Sequence, residues 1–161
     1  MIIYHGGTEI VEIPKILTIN KGRDFGTGFY TTDIQAQASK WAKRQAMIRR
    51  TKKSILNVYE YDNINAEYSL KIKSFNEYSM EWLDFVVACR QDGLYAHEYD
   101  IVTGKVADDD VGETVQAVVD GLAPKEFALS KLSFMPANNQ ICFCTDKALS
   151  FLKFIKSERP G

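Results

Sequence analysis

Three places in the sequence pair polar or aromatic side chains with glycines or turn residues at predicted strand ends. They are His5-Gly6 near the start, the segment from Gly26 to Tyr30, and Asn138-Asn139-Gln140 near the end. Ligand pockets are commonly built from separate strand ends, where a few polar groups fix the orientation of the ligand. We therefore treat the three places as one candidate site.

Few residues could ligate a metal or act as a nucleophile. The two histidines, His5 and His97, stand in no metal-ligand spacing such as HExxH or CxxC, which argues against a zinc enzyme. The three cysteines are an odd and sparse set that fits a reducing cytoplasm better than a disulfide scaffold. Cys142 and Cys144 alternate on one predicted strand, but the sequence positions no base beside them, so we expect no nucleophilic role.

The glycine-rich segment is not a common phosphate-binding loop. Gly22, Gly26 and Gly28 are followed by Phe29-Tyr30 and not by lysine with serine or threonine, so this is no P-loop. The spacing does not match GxGxxG either. Gly26 and Gly28 fit a tight turn that requires positive φ.

Length and composition predict one domain over residues 1–161. Of the 161 residues, 45% are apolar and 25% charged, the usual balance of a soluble globular protein. Lysine and arginine number 20 against 21 acidic residues, which argues against a protein that mainly coats nucleic acid or anionic membrane. No apolar run reaches the ~18 residues of a membrane-spanning helix, and a signal peptide is not evident. We expect a cytoplasmic protein with no membrane partner.

The order of the predicted elements indicates an α+β fold, because strands and helices mix without regular βαβ alternation. Thr32 or Asp33 is predicted to cap the first helix, and Thr145 the last. The predicted inward face of the first helix consists of Ile34, Ala38, Trp41, Gln45 and Ile48. Strands are predicted at 2–5, 29–32, 55–61, 99–103 and 139–144, and helices at 33–50, 76–91, 109–121, 124–133 and 146–157.

The motifs Tyr4-His5-Gly6, Phe25 to Tyr30 and Asn139 to Phe143 resemble the ADP-ribosyltransferase fold, in its diphtheria-toxin-like and poly(ADP-ribose)-polymerase-like branch. That branch carries a His-Gly on its first strand, a Gly-x-Gly-aromatic-Tyr strand start and an Asn-Glu that opens a late strand, in this order. More closely, the chain resembles an uncharacterised bacterial family affiliated with that branch, which also accounts for Tyr99–Val102 and Ala107–Asp110. The resemblance implies a split β-sheet core with several surrounding helices, and a helical elaboration within about 62–135.

The resemblance also implies NAD as a substrate and assigns roles in its binding. The Gly6 backbone would hold the nicotinamide amide, and His5 would bond to a ribose hydroxyl. Tyr30 would stack on the nicotinamide ring, Trp41 stands where the branch often has a second stacking aromatic, and Gly28 lets the backbone approach the ligand. A cationic ring between two aromatic faces gains about 0.5–2 kcal/mol per face.

The implied catalytic residues are His5, Tyr30 and Gln140, and the third departs from the branch, which has glutamate there. A glutamine accepts a hydrogen bond but supplies no charge to the developing cation. A charged hydrogen bond is worth about 1.5–3 kcal/mol against about 0.5–1.5 kcal/mol for a neutral one. NAD binding should therefore survive better than catalysis, unless an acid within Asp108–Asp110 assists; that run could equally be a solvated helix cap.

Three functions follow from these residues. The first is an ADP-ribosyltransferase that cleaves the nicotinamide–ribose bond of NAD and passes ADP-ribose to an acceptor that the sequence does not name. If the acceptor is water, the protein is an NAD glycohydrolase; a toxin, a defence factor and a housekeeping enzyme are all open. The second is a catalytically weak or inactive NAD-binding module. The third is a nucleic-acid-binding partner protein that uses the basic face between Lys40 and Lys53, which could instead be a solvated face or attract NAD phosphates.

Overall fold

The computed structural model describes residues 1–17, 23–91, 96–107, 109–132 and 138–161. Within them the chain forms two β-sheets and a set of helices, which confirms the α+β class. The strands are β1 (Ile2–Gly7), β2 (Phe29–Thr31), β3 (Ile55–Tyr61), β4 (Ile72–Ser74), β5 (Ile101–Gly104), β6 (Gln140–Phe143) and β7 (Leu152–Glu158). The helices are α1 (Gln35–Ile48), α2 (Asn63–Ser69), α3 (Met80–Gln91), α4 (Asp109–Val119), α5 (Lys125–Leu132) and α6 (Asp146–Leu149).

The first sheet has the order β1-β3-β7 and is antiparallel throughout. Its central strand β3 is rich in β-branched and aromatic residues, as the sequence predicts. The predicted helix over 146–157 is wrong beyond its first turn, because Leu152–Glu158 form strand β7. Thr145 caps α6 by accepting a hydrogen bond from Ala148 N, as predicted, but the chain then extends. The Phe154 ring packs edge-on against Tyr59 with ring centroids 5.8 Å apart, and this pairing within the sheet outweighs local helix propensity.

The second sheet has the order β2-β6-β5-β4, in which only the β4–β5 pair is parallel. Its central strands are buried on both faces. Ile141 and Phe143 face the first sheet and pack with its aromatic residues, whereas Val102 and Cys142 face the helices α3, α4 and α5. This alternation decides which side chains of β6 can share a site. Helix α2 and strand β4 are not indicated by the sequence pattern. Region 62–135, expected to be a helical elaboration, contains the strands β4 and β5 besides its helices.

Helix α1 buries a narrower face than predicted. Its buried residues are the alanines Ala38, Ala42 and Ala46. The predicted inward face is therefore confirmed at Ala38 and wrong at Trp41, which is 39% exposed, and at Ile48, which is 63% exposed. The alanines let the α1 backbone approach β1 closely, and larger side chains there would hold the two elements apart.

The predicted cap of α1 is also wrong. Ile34 occupies the N-cap and makes no side-chain capping bond, while Thr32 Oγ1 accepts a hydrogen bond of 3.0 Å from Ile34 N one step before the helix. No helix in the described part of the chain is long and apolar enough to cross a membrane.

Candidate functional site

The two sheets meet where β1 and β2 diverge. A single bridge joins the strands, in which Tyr4 N donates to Thr32 O at 2.8 Å and Thr32 N to Tyr4 O at 2.9 Å. Continuing that antiparallel register would place Gly6 opposite Tyr30, but β2 pairs with β6 instead. The strands that carry His5-Gly6 and Tyr30, two of the three places singled out in the sequence, are therefore unpaired beyond the bridge, and we call this separation the gap.

His5 spans this gap. Its Nδ1 lies 2.7 Å from Tyr30 O, and its ring stacks on Phe29 with centroids 4.5 Å apart. Because a carbonyl oxygen only accepts, Nδ1 carries the proton and donates. Burial lowers the pKa of His5; the bond to Tyr30 O opposes this, and the Arg23 guanidinium lowers the pKa further. His5 is therefore neutral at pH 7, and its Nε2 is an unprotonated hydrogen-bond acceptor.

Gly6 is required by the packing of α1. A Cβ atom built on Gly6 would overlap Ala38 O and come within 2.9 Å of Ala42 N. In an antiparallel strand, alternate residues direct both peptide groups to the same edge. Since Tyr4 bonds to Thr32, the N–H and C=O of Gly6 also point toward β2, and no side chain or loop among the described residues bonds to them. Gly6 thus presents a donor and an acceptor to the gap.

Tyr30 projects to the opposite face of β2 from Phe29. Its hydroxyl donates to Gly26 O at 2.5 Å and accepts from Phe25 N at 3.1 Å, and the Arg23 guanidinium lies 5.2 Å from the ring centroid. Burial raises the pKa of Tyr30 well above its usual value, and Cys142 and Asp24 add to this. The hydroxyl therefore stays protonated and fastens the glycine-rich loop, in which Gly26 has a φ of 78°.

Gln140 lies on the same face of the second sheet as Tyr30, since Cys142 is the register partner of Tyr30. Its Nε2 donates to Asp24 Oδ2 at 3.0 Å and to Lys105 O at 3.2 Å. Gln140 Oε1 has no hydrogen-bond partner among the described residues. It is therefore the acceptor of this amide that no described group uses.

Asp24 is the acid beside Gln140, and it is already paired. Its Oδ1 accepts hydrogen bonds from Arg90 Nη2 at 2.6 Å and Nε at 3.0 Å, and its Oδ2 accepts from Ala107 N at 2.8 Å. Both charged side chains are about one-tenth exposed, 8% for Asp24 and 11% for Arg90. A buried carboxylate needs such bonds to offset its desolvation. The cluster places the Asp24 carboxylate beside Gln140, and the Arg90 guanidinium neutralises the charge of that carboxylate.

The other predicted site residues have different surroundings. Trp41 sits on the outer side of α1, with the Arg44 guanidinium 5.7 Å from its ring centroid, and no described aromatic ring pairs with it. Gly28 is packed tightly, because a Cβ there would overlap Cys142 Sγ and lie 2.7 Å from Phe143 O. Gly22 and Asp108 lie outside the described residues, and Asp110 is exposed on α4.

A crevice of about 450 Å³ opens on the other face of the second sheet. It runs along the neighbours of Gln140 in sequence, Asn139 and Ile141, and is partly lined by Asp33 and Thr103. Asn139 Nδ2 donates to Asp33 Oδ1 at 3.0 Å across its wall. Strand alternation therefore separates this crevice from the Gln140 side chain, and neither His5 nor Tyr30 lines it.

Comparison with known proteins places the chain in a family. Residues 1–154 match the family model described as protein of unknown function (DUF3990). The chain belongs to this family. No characterised protein and no solved structure gives a significant match. Membership therefore assigns no activity, and the resemblance of this DUF3990 chain to ADP-ribosyltransferases stays a prediction.

The sequence analysis of this DUF3990 chain missed the most connected residues of its site, Asp24 and Arg90. They lie 66 positions apart and belong to no short motif, so their pairing has no local signal. Asp24 could have been noticed as a charged residue next to the glycine-rich loop, directly before Phe25. The acid that bonds to Gln140 is Asp24; of the run Asp108–Asp110 expected to assist it, Asp110 is exposed, and Asp108 and the side chain of Asp109 lie outside the described residues.

Proposed function

We propose that the chain binds NAD in the gap between β1 and β2, cleaves the nicotinamide–ribose bond and passes ADP-ribose to an acceptor. The observation that carries this proposal is the 2.7 Å bond from His5 Nδ1 to Tyr30 O, which spans the two strands and leaves Nε2 as an acceptor without a partner among the described residues. Two sheets that part at this point support an ADP-ribosyltransferase-like core.

The gap supplies the polar groups that a nicotinamide riboside needs. A carboxamide has one acceptor oxygen and a donor NH₂, which complement the N–H and C=O that Gly6 turns toward β2. A neutral His5 Nε2 accepts a hydrogen bond from a ribose hydroxyl. The Tyr30 ring, whose hydroxyl is fixed by the loop, lies on the opposite face of β2 from Phe29, and its stacking on the cationic pyridinium stays a prediction. Trp41 as a second stacking ring stays a prediction.

The reaction requires stabilisation of a cationic sugar. Nicotinamide leaves with the electron pair of the glycosidic bond, positive charge develops on the ribose, and the acceptor nucleophile forms the new bond and loses its proton. Gln140 Oε1 carries the negative end of the amide dipole. The bond from Nε2 to Asp24 fixes the orientation of this amide and polarises it further.

One observation favours the second function, binding without transfer. Because Arg90 pairs with Asp24, the cluster around Gln140 has no net charge. A preorganised neutral amide stabilises a cation less than a carboxylate does. The module would then bind NAD and release nicotinamide slowly or not at all.

Calorimetry with NAD and an assay of nicotinamide release together test both functions. We expect heat of binding at millimolar NAD, and release above background that His5→Ala abolishes. Heat without release would leave the binding module and overturn the transferase. No heat from the folded protein at millimolar NAD would overturn both.

A further inference from the structure

Two cysteines at the end of β6 lie within reach of each other. Cys142 and Cys144 flank Phe143 on one face of the strand, and their Sγ atoms are 3.5 Å apart. Cys142 is fully buried, whereas Cys144 is partly exposed. A disulfide needs Cα atoms no more than about 6.8 Å apart, and two strand residues span about 6.6 Å. The thiols can therefore join with a small local adjustment.

His97 lies close enough to Cys144 to affect its ionisation, whereas the sequence alone indicates no base beside these cysteines. The His97 imidazole favours the charged form of the Cys144 thiol and so lowers its pKa. The imidazole is held in place because Nε2 donates to Phe25 O at 3.0 Å and Nδ1 accepts from Tyr99 N at 3.2 Å. A fixed imidazole beside a partly exposed thiol is the arrangement that activates cysteine.

The thiols differ in reactivity. The contact with the Cys142 thiol, opposed by burial and reinforced by His97, lowers the pKa of Cys144 to about 6. Burial raises the pKa of Cys142 well above its usual value and that of Cys89 to about 12. At neutral pH, Cys144 is thus the thiolate of the group, while Cys142 and Cys89 stay protonated.

We propose that Cys144 and Cys142 form a redox-active dithiol, in which Cys144 reacts first with a peroxide and Cys142 closes the disulfide. The Cys144 thiolate attacks one oxygen of hydrogen peroxide, the O–O bond breaks, and Cys144 sulfenic acid and hydroxide form. The Cys142 sulfur then attacks the sulfenic sulfur, its thiol proton leaves with the hydroxyl group as water, and the S–S bond forms. Sulfur loses two electrons to the peroxide, and an added dithiol reverses the change.

The disulfide would form directly beneath the candidate site. Cys142 is the register partner of Tyr30, and Gly28 packs against Cys142 Sγ so closely that a Cβ there would overlap it. If the Cys142 sulfur moves toward Cys144 to form the disulfide, its packing against Gly28 changes, and with it the position of Gly28 and Tyr30. An effect on NAD binding would rest on the proposed function; the dithiol itself does not.

Peptide mapping after peroxide treatment tests the dithiol in the native full-length chain. The tryptic peptide that ends at Lys147 contains both cysteines, and Cys89 lies in another peptide. We expect the first peptide to lose the mass of two hydrogens, reversibly with dithiothreitol, while Cys89 stays free. Cys144→Ser should prevent any loss of thiol, and Cys142→Ala should trap a sulfenic acid that dimedone labels. Cys89→Ser is the matched control and should behave like the wild type.

Three results would overturn the proposal. These are a Cys89–Cys144 cross-link, oxidation of Cys144 beyond sulfenic acid with Cys142 still free in the wild type, and loss of Cys144 no faster than loss of Cys89. If Cys142→Ala does not fold, the comparison of Cys144 with Cys89 in the wild type decides, because it needs no variant.

Discussion

Gln140 Nε2 donates a hydrogen bond of 3.0 Å to Asp24 Oδ2, across 116 positions of sequence. The same carboxylate holds Arg90 through its other oxygen. The amide at the predicted catalytic position is therefore fixed by a buried ion pair, so that the orientation of Gln140 and the stability of the fold depend on the same carboxylate.

Asp24→Ala should destabilise the protein by about 3–5 kcal/mol, because it leaves the Arg90 charge buried without a partner. Urea unfolding measures the change. Asp84→Ala is the matched control, since the Asp84–Lys125 ion pair is about half exposed and worth under about 1 kcal/mol. Equal losses in the two variants would mean that the Asp24–Arg90 pair contributes no more than a surface pair.

Gln140→Glu should place a second carboxylate beside Asp24 with one guanidinium between them. Like charges raise the pKa of the new carboxyl in the folded state. The variant should therefore match the wild type in stability below pH ~4.3, the pKa of an unfolded glutamate, and lose stability relative to it as the pH rises toward 7. Unfolding at several pH values measures this difference.

The same variant should release nicotinamide about tenfold faster than the wild type, because a charged acceptor stabilises the cationic sugar by about 1.5 kcal/mol more than an amide. Gln116→Glu is the control: it also places a carboxylate beside an aspartate, Asp120, but on an exposed face of α4, so it should cost under about 0.5 kcal/mol and leave nicotinamide release unchanged. Slower release in Gln140→Glu would show that the amide has a catalytic role of its own.

His5→Asn should separate binding from folding. The Asn amide nitrogen can occupy the place of His5 Nδ1 and keep the bond to Tyr30 O, but nothing replaces Nε2. We expect NAD affinity to fall about tenfold, the equivalent of one lost hydrogen bond, with a smaller loss of stability than in His5→Ala. Unchanged affinity would remove His5 Nε2 from the proposed site.

Gly6→Ala should destabilise the protein by about 1–3 kcal/mol, because the new methyl group meets the α1 backbone at Ala38 and Ala42, which cannot yield as a side chain does. Gly7→Ala is the control: a Cβ there meets only the His5 ring, with Nε2 at 3.3 Å. Thermal unfolding compares the two. An equally stable Gly6→Ala would show that α1 packs less tightly on β1 than described.

Local signals predicted much of the frame. The β-branched and aromatic run of β3 and the Thr145 cap are features of consecutive residues, and both are confirmed. The apolar residues of β7 fit both the helical and the strand period, so the pattern predicts a helix there. Only the pairing of β7 with β3 decides between the two. The buried alanine face of α1 depends likewise on Gly6, a partner that helical periodicity does not reveal.

Short motifs indicate the strand ends of the candidate site, but not the contacts that join distant segments. His5 and Tyr30 are predicted in one site, and the structure shows a contact between His5 Nδ1 and the backbone carbonyl of Tyr30. The pairs Asp24–Arg90 and His97–Cys144 have no local pattern, because the fold alone brings these charged and polar groups to one place. Both pairs lie on the helix-facing side of the second sheet, where the contacts join segments that are far apart in the sequence.

Backbone amide chemical shifts during an NAD titration test the central claim most directly. If nicotinamide binds in the gap between β1 and β2, the Gly6 N–H signal should shift most and saturably, because it gains a hydrogen bond to the carboxamide, and His5→Asn should weaken the response. A folded protein whose Gly6 signal does not move at millimolar NAD, or whose shifts cluster in the crevice beside Asn139 and Thr103, would contradict the account.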